Sequence, residues 1–386
     1  MDRQNPTAVV VDVASENGLA TLRSLGRAGI QVLGCSSTPT AIGHVSRYGT
    51  ARTCPDLVDR PLDFVDYLSD LAKDLPQKAV LMVSGDEHLS VVGQHWAQLE
   101  AAYLPSFPQW HELEPILDKM HQIDASTRAD VRAPKTEIVS EQTDFAKVDL
   151  GWPLVIKGRS GKQFARLFGK QVKLPSTPDE AAAIVATCRG IEVIAQEVIP
   201  GEDDQLYTYG SHRSRDGRYW GEFTGRKLRQ YPVSFGGAVA AETVIDEQLA
   251  SAGRALLDEL DFYGPSQVEF KLDQRDGHFK LMEVNARLWR WHGLASHCGV
   301  DLPYLTYLDA AGFEPPKAVA QTSGRWIYAY FDLPFNAMRV VRRQYPGSVF
   351  FKSIRPPFVD AVWAKDDPRP FFRGLRVQLD RGRNGR

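Results

Sequence analysis

The 386-residue sequence predicts a mixed fold, in which an α/β domain is followed by α+β units and an appended C-terminal region. Three observations support this prediction. The chain opens with alternating strand and helix patterns, its middle reads as a strand, a loop, a helix and a strand, and farther on two period-two runs flank a turn. The length is typical of two or three packed domains.

The composition is that of an ordinary globular protein, with 43% hydrophobic and 24% charged residues. The 46 basic and 48 acidic residues give a net charge of -2, so a nucleic acid partner is not expected. The four cysteines are widely spaced, which disfavours a disulfide framework and a cysteine zinc site. The N-terminus has no signal-peptide pattern, and no apolar run approaches the roughly 18 residues of a membrane span. We therefore expect a cytoplasmic protein without a transmembrane segment.

Residues 1–110 are predicted to form the α/β domain, because a helical pattern connects two apolar strands at their start. The predicted elements are strand 8–13, helix 18–28, strands 30–34 and 79–84, a helical stretch near 91–99, and strand 103–105. The loop at 12–18 lacks the G-x-G-x-x-G pattern, whose glycines let the backbone approach a pyrophosphate, and no G-x-x-x-x-G-K-[ST] pattern occurs. A nucleotide, if one binds, must be held by another part of the chain.

Residues 111–205 are predicted to form a small α+β unit. Its predicted elements are strand 152–157, a loop at 158–162, helix 179–188, strand 191–196 and an acidic turn at 197–204. Thr177 is the expected N-cap of the helix, with Pro178 at its first position. The first strand ends in Lys157, and the loop after it is rich in small and cationic residues. A surface lysine and an ordinary acidic turn are the structural alternatives for these two features.

Residues 206–315 contain a predicted β-hairpin with two facing carboxylates. A turn centred on Asp276 puts Glu269 directly opposite Glu283, on the same face as Asn285. Because like charges opposed across a ladder destabilise it, a cation between them is an attractive hypothesis. Two carboxylates and an amide oxygen are ligands of the kind that Mg²⁺ takes. A solvated hairpin face is the alternative.

Residues 316–386 read as an appended region, with a helix-like stretch near 337–343 followed by aromatic and Pro-rich segments. Phe371 and Phe372 lie among the arginines of its end, which are Arg369, Arg373, Arg376, Arg381, Arg383 and Arg386. A solvated terminus is expected, and contact with a membrane surface or with nucleic acid is the alternative.

The order of these features resembles the ATP-grasp superfamily over about residues 5–312. The similarity is greatest to carboxylate-amine ligases of the D-aspartate ligase type and to carbamoyl-phosphate-synthase-like proteins. It implies a Rossmann-like pre-ATP-grasp domain, followed by an ATP-grasp fold of two subdomains, here 111–205 with the lid and 206–315 with the metal site, and then the C-terminal appendage. The lid loop departs from the family pattern, because it has two extra cations and fewer glycines.

The resemblance implies a site for ATP. The segments that carry it are L-D-K ending at Lys119, P-L-V-I-K ending at Lys157, and the E-V-I-P-G hinge that starts at Glu197. The two lysines match lysines that meet phosphates, the hinge backbone matches the part that meets adenine, and either Glu202 or Asp204 takes the ribose position. The residues so implied are Lys119, Lys157, Glu197, Val198, Ile199, Glu202, Asp204 and, in the lid, Lys162, for which Arg159 is the alternative.

The resemblance also implies a metal and acceptor site. Glu269, Glu283 and Asn285 are the implied Mg²⁺ ligands, with Mn²⁺ as a substitute metal. The implied catalytic cations are Arg226, Lys227 and Arg287. Transfer of the γ-phosphoryl group of ATP to a carboxylate gives an acyl phosphate, and cations stabilise the charge of the transferring group. Arg287 is expected to clamp the substrate carboxylate, and a structural salt bridge is its alternative.

These features predict an ATP-dependent carboxylate-amine ligase that releases ADP and phosphate. A carboxylase, a carbamoyl-phosphate-type synthase and a catalytically silent nucleotide-binding protein remain alternatives. The expected partners are small-molecule carboxylates and amines, and a homo-oligomer is left open. His292 and His297 are five residues apart without an accompanying carboxylate, which disfavours a zinc site. No G-x-S-x-G pattern supports a serine nucleophile.

Overall fold

The computed structural model describes residues 5–233 and 235–383, and its N-terminal unit is built on a five-stranded parallel sheet. The strands lie in the order β3-β2-β1-β4-β5. They are β1 (Ala8–Val11), β2 (Val32–Ser36), β3 (Thr50–Thr53), β4 (Ala79–Val83) and β5 (Tyr103–Pro105). The helices of this unit are α1 (Glu16–Arg27), α2 (Pro61–Lys73), α3 (Asp86–Gln94), α4 (Trp96–Leu99) and α5 (Trp110–Ile116). Every residue of β1 is buried, as its continuous run of apolar residues predicts for a parallel strand.

Four of the five strands of this unit are predicted within about two residues, β3 is missed, and the helical stretch expected near 91–99 is wrong in extent. In the structure α3 begins at Asp86, directly after β4, and His95 separates it from α4. The backbone of His95 leaves the helical region, with φ -106° and ψ 19°. Asp86 and Glu87 therefore stand in the first turn of a helix, where acidic side chains are favoured by the helix dipole.

The second unit has a four-stranded antiparallel sheet in the order β6-β9-β7-β8. Its strands are β6 (Thr136–Val139), β7 (Leu154–Gly158), β8 (Val172–Lys173) and β9 (Val193–Glu197). Its helices are α6 (Lys119–Arg128), α7 (Gln163–Phe168) and α8 (Pro178–Thr187). The hydroxyl of Thr177 accepts a hydrogen bond from the backbone N–H of Glu180, at 3.2 Å, which confirms the predicted N-cap of α8.

The third unit has a seven-stranded sheet in the order β14-β13-β10-β11-β12-β15-β16. Its strands are β10 (Leu206–Arg213), β11 (Tyr219–Tyr231), β12 (Gly237–Thr243), β13 (Gly264–Asp273), β14 (His278–Asn285), β15 (Arg325–Ile327) and β16 (Val359–Asp360). The helices are α9 (Glu247–Glu259), α10 (Gly293–His297), α11 (Leu302–Ala310), α12 (Ala329–Val341), α13 (Gly347–Ser353) and α14 (Arg369–Arg383). Strands β15 and β16 come from the C-terminal region, which thus extends the sheet.

The C-terminal region has more regular structure than its sequence predicts. Helix α12 begins at Ala329, well before the expected stretch near 337–343, because Tyr328 packs on Phe331 and anchors the first turn. Within this region α14 contains Phe371 and Phe372. Of the predicted basic end, Arg386 and the side chains of Arg381 and Arg383 lie outside the described residues.

The charged groups of the C-terminal region tie it to the rest of the protein. Arg23 on α1 donates to Asp367 at 2.9 Å, and both side chains are buried. Arg229 on β11 donates to both carboxylate oxygens of Asp332 on α12, at 2.6 and 2.7 Å, and this pair is also buried. Removing one partner of such a pair leaves a buried charge uncompensated, which costs about 3–5 kcal/mol. The region is therefore held against both the first and the third sheets.

Candidate functional site

The hairpin of β13 and β14 places two carboxylates opposite each other, as its sequence predicts. Glu269 is the register partner of Glu283, and Gln267 is the partner of Asn285. The register shifts directly after Glu269, where a bulge inserts one extra residue, Met282, into β14. Both side chains are half-buried, and the pair stays on one face of the sheet with the amide of Asn285.

Two lysines from different elements neutralise these carboxylates. Lys119, the first residue of α6, places its Nζ 3.2 Å from Oε1 of Glu283. Lys227, on β11, places its Nζ 3.1 Å from Oε2 of Glu269, and its side chain is buried. Each carboxylate therefore has a cation of its own in the structure. Lysine ammonium groups stand where the sequence predicts a metal cation.

A third lysine lies deep in the same cluster. Lys157, near the end of β7, donates to Oε1 of Gln196 at 3.0 Å. Burial, followed by repulsion from Lys119, lowers the pKa of Lys157 to about 8, against the attraction of Glu283 and Glu269. A partly buried lysine with such a pKa is placed to take up a proton, at about pH 8 and above, when an anion enters the site.

Two amide side chains complete the hairpin face. Gln267 donates from Nε2 to Oε1 of Glu269 at 2.9 Å and to Oγ1 of Thr208 at 3.0 Å. Asn285 donates from Nδ2 to Oε1 of Gln267 at 3.3 Å, so its Oδ1 remains an acceptor. The sequence reading overlooked Gln267, although the same predicted hairpin register that opposes Glu269 to Glu283 opposes Gln267 to Asn285.

Arg287, just beyond β14, reaches across to the first unit. Its Nε and Nη2 lie 2.5 and 2.8 Å from the two carboxylate oxygens of Asp86 at the start of α3, and Nη2 lies 3.4 Å from Oδ1 of Asn285. Burial acts to raise the pKa of Asp86, but the guanidinium outweighs it and holds the pKa below its usual range. Asp86 was not singled out from the sequence, because its position two hundred residues away gives no local signal.

The loop after β7 also faces the first unit. Nζ of Lys162 lies 3.5 Å from Oε2 of Glu87, and Arg166 of α7 pairs with the other oxygen of that carboxylate. Arg159 instead donates to Asp118, the N-cap of α6, with contacts of 2.6 to 3.0 Å. Of the two candidate lid cations, Arg159 is thus committed to a structural pair, whereas Lys162 has only a long contact.

The predicted hinge lies at the far end of the β7 and β9 pair. Glu197 ends β9 three residues after Ile194, the register partner of Lys157, so the two are separated by roughly 10 Å along the sheet. The Glu197 carboxylate accepts from Arg275 at 3.2 Å. The next two hinge residues differ in exposure, since Val198 is partly buried and Ile199 is buried.

Of the acidic residues after the hinge, Asp203 is the one with strong internal partners. It accepts from the backbone N–H and the side-chain amide of Gln230, at 3.0 and 2.9 Å. Within the described part of the chain, the side chain of Asp204 accepts only from its neighbour Gln205, at 3.0 Å, and Glu202 is exposed. The structure thus leaves both candidate ribose ligands, Glu202 and Asp204, accessible for an external hydroxyl group.

Two predicted features lie apart from this cluster. Arg226 precedes Lys227 on β11 and points to the opposite face of the sheet, where it donates to Oε1 of Glu242 at 2.9 and 2.7 Å. His292 is buried, its Nδ1 lies 2.6 Å from the carbonyl oxygen of Trp289, and burial lowers its pKa to about 4.

Within the described ranges, no group of three or more histidine, cysteine or acidic side chains is close enough to hold a metal ion.

Sequence comparisons identify relatives of this chain. Residues 240–314 match the family model described as "Carbamoyl-phosphate synthase L chain, ATP binding domain". The chain is 23% identical over 250 residues to a D-aspartate ligase of Enterococcus faecium. This alignment covers 60% of this chain and 59% of the relative. It is 22% identical over 317 residues to the arginine-specific carbamoyl phosphate synthase large chain of Halalkalibacterium halodurans, covering 75% and 28%. The chain thus spans about three-fifths of the first relative's length and less of the second.

Solved structures share the fold over most of the chain. A complex of N5-carboxyaminoimidazole ribonucleotide synthetase with ADP matches with a TM-score of 0.67 and 14% identity, over 89% of this chain and 87% of that one. An L-amino acid ligase from Bacillus licheniformis matches with a TM-score of 0.59 and 15% identity, over 81% and 75%. These likenesses confirm the predicted fold class. No helix in the described part of the chain is both long and apolar enough to cross a bilayer.

Proposed function

We propose that this protein, which has the ATP-grasp fold, is an ATP-dependent carboxylate-amine ligase that activates a carboxylate as an acyl phosphate. The observation that carries the proposal is the arrangement at the hairpin. Two opposed carboxylates are surrounded by three lysines and an arginine from β7, β11, α6 and the end of β14. Sequence similarity to a D-aspartate ligase and structural similarity to an L-amino acid ligase agree with the proposal.

The nucleotide is proposed to lie along β7 and β9. The hinge backbone at Val198 and Ile199 would meet the adenine, and Glu202 or Asp204 would meet the ribose. Lys157 lies roughly 10 Å farther along the sheet, which suits the distance from a base to its phosphates. Lys119, Lys157 and the lid residue Lys162 would then contact the phosphate oxygens, in the manner of cations that stabilise a transferring phosphoryl group.

The hairpin residues fit a divalent cation. Glu269, Glu283 and Oδ1 of Asn285 are oxygen donors on one face, and both carboxylates already attract ammonium groups. Fewer than three acidic or imidazole groups are clustered here, so phosphate oxygens and water must complete an octahedral shell. When bound, Mg²⁺ supplies neutralisation of the triphosphate charge. We propose that Mg²⁺ is the natural metal and that Mn²⁺ can replace it.

Arg287 is proposed to bind the acceptor carboxylate. Lys227 is proposed to stabilise the charge of the transferring phosphoryl group. The substrate carboxylate would replace Asp86 on the guanidinium of Arg287, since Asp86 makes the bidentate contact that a substrate carboxylate could make. Its oxygen then attacks the γ-phosphorus and ADP leaves. The amine nitrogen next attacks the acyl carbon, phosphate leaves and the nitrogen loses a proton. Closure of the Lys162 loop over this site would keep water from the acyl phosphate.

The proposal is tested by incubating the protein with ATP, Mg²⁺ and pools of carboxylates and amines. We expect ADP and phosphate to form only when a productive carboxylate and amine are both present. Formation of AMP and pyrophosphate would replace the acyl-phosphate mechanism by an adenylating one. Turnover that requires bicarbonate as the only acceptor would favour the carboxylase or carbamoyl-phosphate-type alternative. The similarity to carbamoyl phosphate synthases is the reason to test this alternative. ATP binding without turnover would favour the third alternative, a nucleotide-binding protein that has no catalytic activity.

A further inference from the structure

The C-terminal region concentrates both positive charge and exposed apolar side chains. Residues 316–386 contain fourteen lysines and arginines against five acidic residues, whereas the whole chain has 46 against 48. Among the described residues, this stretch also holds eleven of the twenty-one large apolar side chains that are exposed. A fifth of the chain thus carries half of the exposed apolar side chains and a strong positive charge. Where such side chains form one contiguous patch, the patch marks an interaction site.

Part of this surface forms a single stripe on α14. We define the α14 stripe as the outward-facing apolar residues Phe372, Leu375 and Leu379 together with Trp363, whose ring centroid lies 6.2 Å from that of Phe372. Their exposed fractions are 60%, 39%, 59% and 44%, respectively. Positions 372, 375 and 379 fall on one side of a helix. The exposed Arg369 and Arg376 lie on that same side and are included in the α14 stripe, which thus combines apolar and cationic groups.

The opposite face of α14 is fixed to the protein. The ring of Phe371 packs on Tyr330 with centroids 4.9 Å apart, and Gly374 is buried against the same tyrosine. The segment that leads into the helix is held by the buried pair of Arg23 and Asp367. The stripe is therefore presented outward on an anchored helix and is not a frayed end that could turn inward.

Among the described residues, Asp380 is the acidic residue of the region that forms an ion pair with an arginine of the stripe. Asp332 and Asp367 are buried in pairs with arginines of the main body, and Asp366 pairs with Arg27 at 2.9 Å. Arg369 makes no ion pair with any residue that the structure describes, and Arg376 has only a 4.0 Å contact with Asp380. The stripe thus presents a net positive, apolar surface.

We propose that the α14 stripe is a docking site for the surface of an anionic lipid bilayer. An anchored helix with Phe, Leu and Trp between arginines has the composition of an interfacial helix. Its charge is complementary to anionic headgroups, to which each nearby arginine contributes about 1 kcal/mol of attraction. A second copy of the chain is a poorer occupant, because a two-fold interface would bring the same positively charged patch of both copies together. This inference is independent of the proposed ligase activity.

The experiment is sedimentation of the full chain with vesicles of phosphatidylcholine, with and without phosphatidylglycerol. We expect binding to the anionic vesicles only, and weaker binding as salt rises from about 0.05 to about 0.5 M. Phe372→Ser combined with Leu379→Ser should lower the partition coefficient at least about tenfold, through lost apolar burial. Arg369→Gln combined with Arg376→Gln should lower it roughly thirtyfold at low salt.

Matched controls separate the stripe from general effects. Ile245→Ser changes a side chain that is 74% exposed but lies outside the region, and it should leave vesicle binding unchanged. Thermal melts of all variants should match the parent, since each altered residue faces solvent. The proposal is overturned if the anionic vesicles do not bind, or if the stripe variants bind like the parent. It is also overturned if the stripe variants instead abolish a dimer or the binding of single-stranded DNA.

Discussion

Replacing Lys157 by methionine is expected to stabilise the fold at pH 7 in the absence of nucleotide and Mg²⁺, while removing ATP-dependent turnover. Methionine resembles the neutral form of lysine in length and removes the penalty of holding a charge at this buried position. The pKa falls from 10.5 to about 8, which corresponds to about 3 kcal/mol at pH values below both. Loss of the hydrogen bond to Gln196 offsets about 1–2 kcal/mol of this gain. A net gain of about 1–2 kcal/mol follows.

The effect has a defined dependence on pH. Between pH 8 and 10.5 the unfolded chain keeps the Lys157 proton and the folded chain has lost it, so the stability of the parent protein rises through this window. The advantage of the Lys157→Met variant should therefore shrink above pH 8. The parent gains about 1.4 kcal/mol per pH unit in this window, so the advantage should change sign near about pH 9. By about pH 10.5 only the lost hydrogen bond should remain, and the variant should be the less stable protein. Urea denaturation of parent and variant at several pH values measures the crossing.

A control and a functional arm complete this test. Lys135→Met changes an exposed lysine with a surface partner, so its effect on stability should stay within about 0.5 kcal/mol at every pH. Under the proposed function, ATP should raise the pKa of Lys157, and binding at about pH 8.5 should take up a proton in the parent but not in the variant. Calorimetry in two buffers detects that uptake. A variant that is less stable than the parent already at pH 7 would refute the reasoning.

The other predictions concern the hairpin, the Arg287 contact and the C-terminal anchor. Glu283→Gln should cut turnover at least about a hundredfold with little change in the melting temperature, and activity kept across a Mg²⁺ titration would contradict the metal role. Asp86→Asn should lower the KM for the carboxylate roughly three- to tenfold, because the substrate no longer displaces a charged competitor from Arg287; an unchanged KM argues against the exchange. Asp332→Ala should lower the free energy of unfolding by about 3–5 kcal/mol, because it leaves the buried guanidinium of Arg229 without its carboxylate partner; urea denaturation measures the loss.

The sequence predicts the local parts of the site and misses the contacts that depend on packing. The pairing of Glu269 with Glu283 follows from the turn position alone, because a hairpin register is a local property. The contact of Arg287 with Asp86 joins positions two hundred residues apart and requires the relative placement of two sheets. No pattern of spacing in one sequence contains that placement. The sequence does not predict that β15 and β16 join the third sheet, because this pairing also depends on the relative placement of distant segments.

A different kind of miss concerns neighbours on one strand. Arg226 and Lys227 are both assigned to the catalytic set by resemblance, yet successive side chains of a strand point to opposite faces. In the structure Lys227 meets Glu269, and Arg226 meets Glu242 on the other side. Strand alternation could have separated the two once β11 was recognised. The proposed catalytic role therefore rests on Lys227, and Arg226 is better suited to supporting β12.

The charge pairing of the site explains how one arrangement can be stable both with and without ATP. In the structure the lysines Lys119 and Lys227 each neutralise one hairpin carboxylate, and Asp86 neutralises Arg287. Under the proposed function, the phosphates give Lys119 new anionic partners and the substrate gives one to Arg287. Glu283 then becomes free to act as a metal ligand, so Lys119, Arg287 and Glu283 each exchange one opposite charge for another. Because these three charges keep a partner in both states, they avoid the cost of several kcal/mol that an unpaired buried ion would impose. Lys157, in contrast, gains an anionic partner only when the phosphates bind.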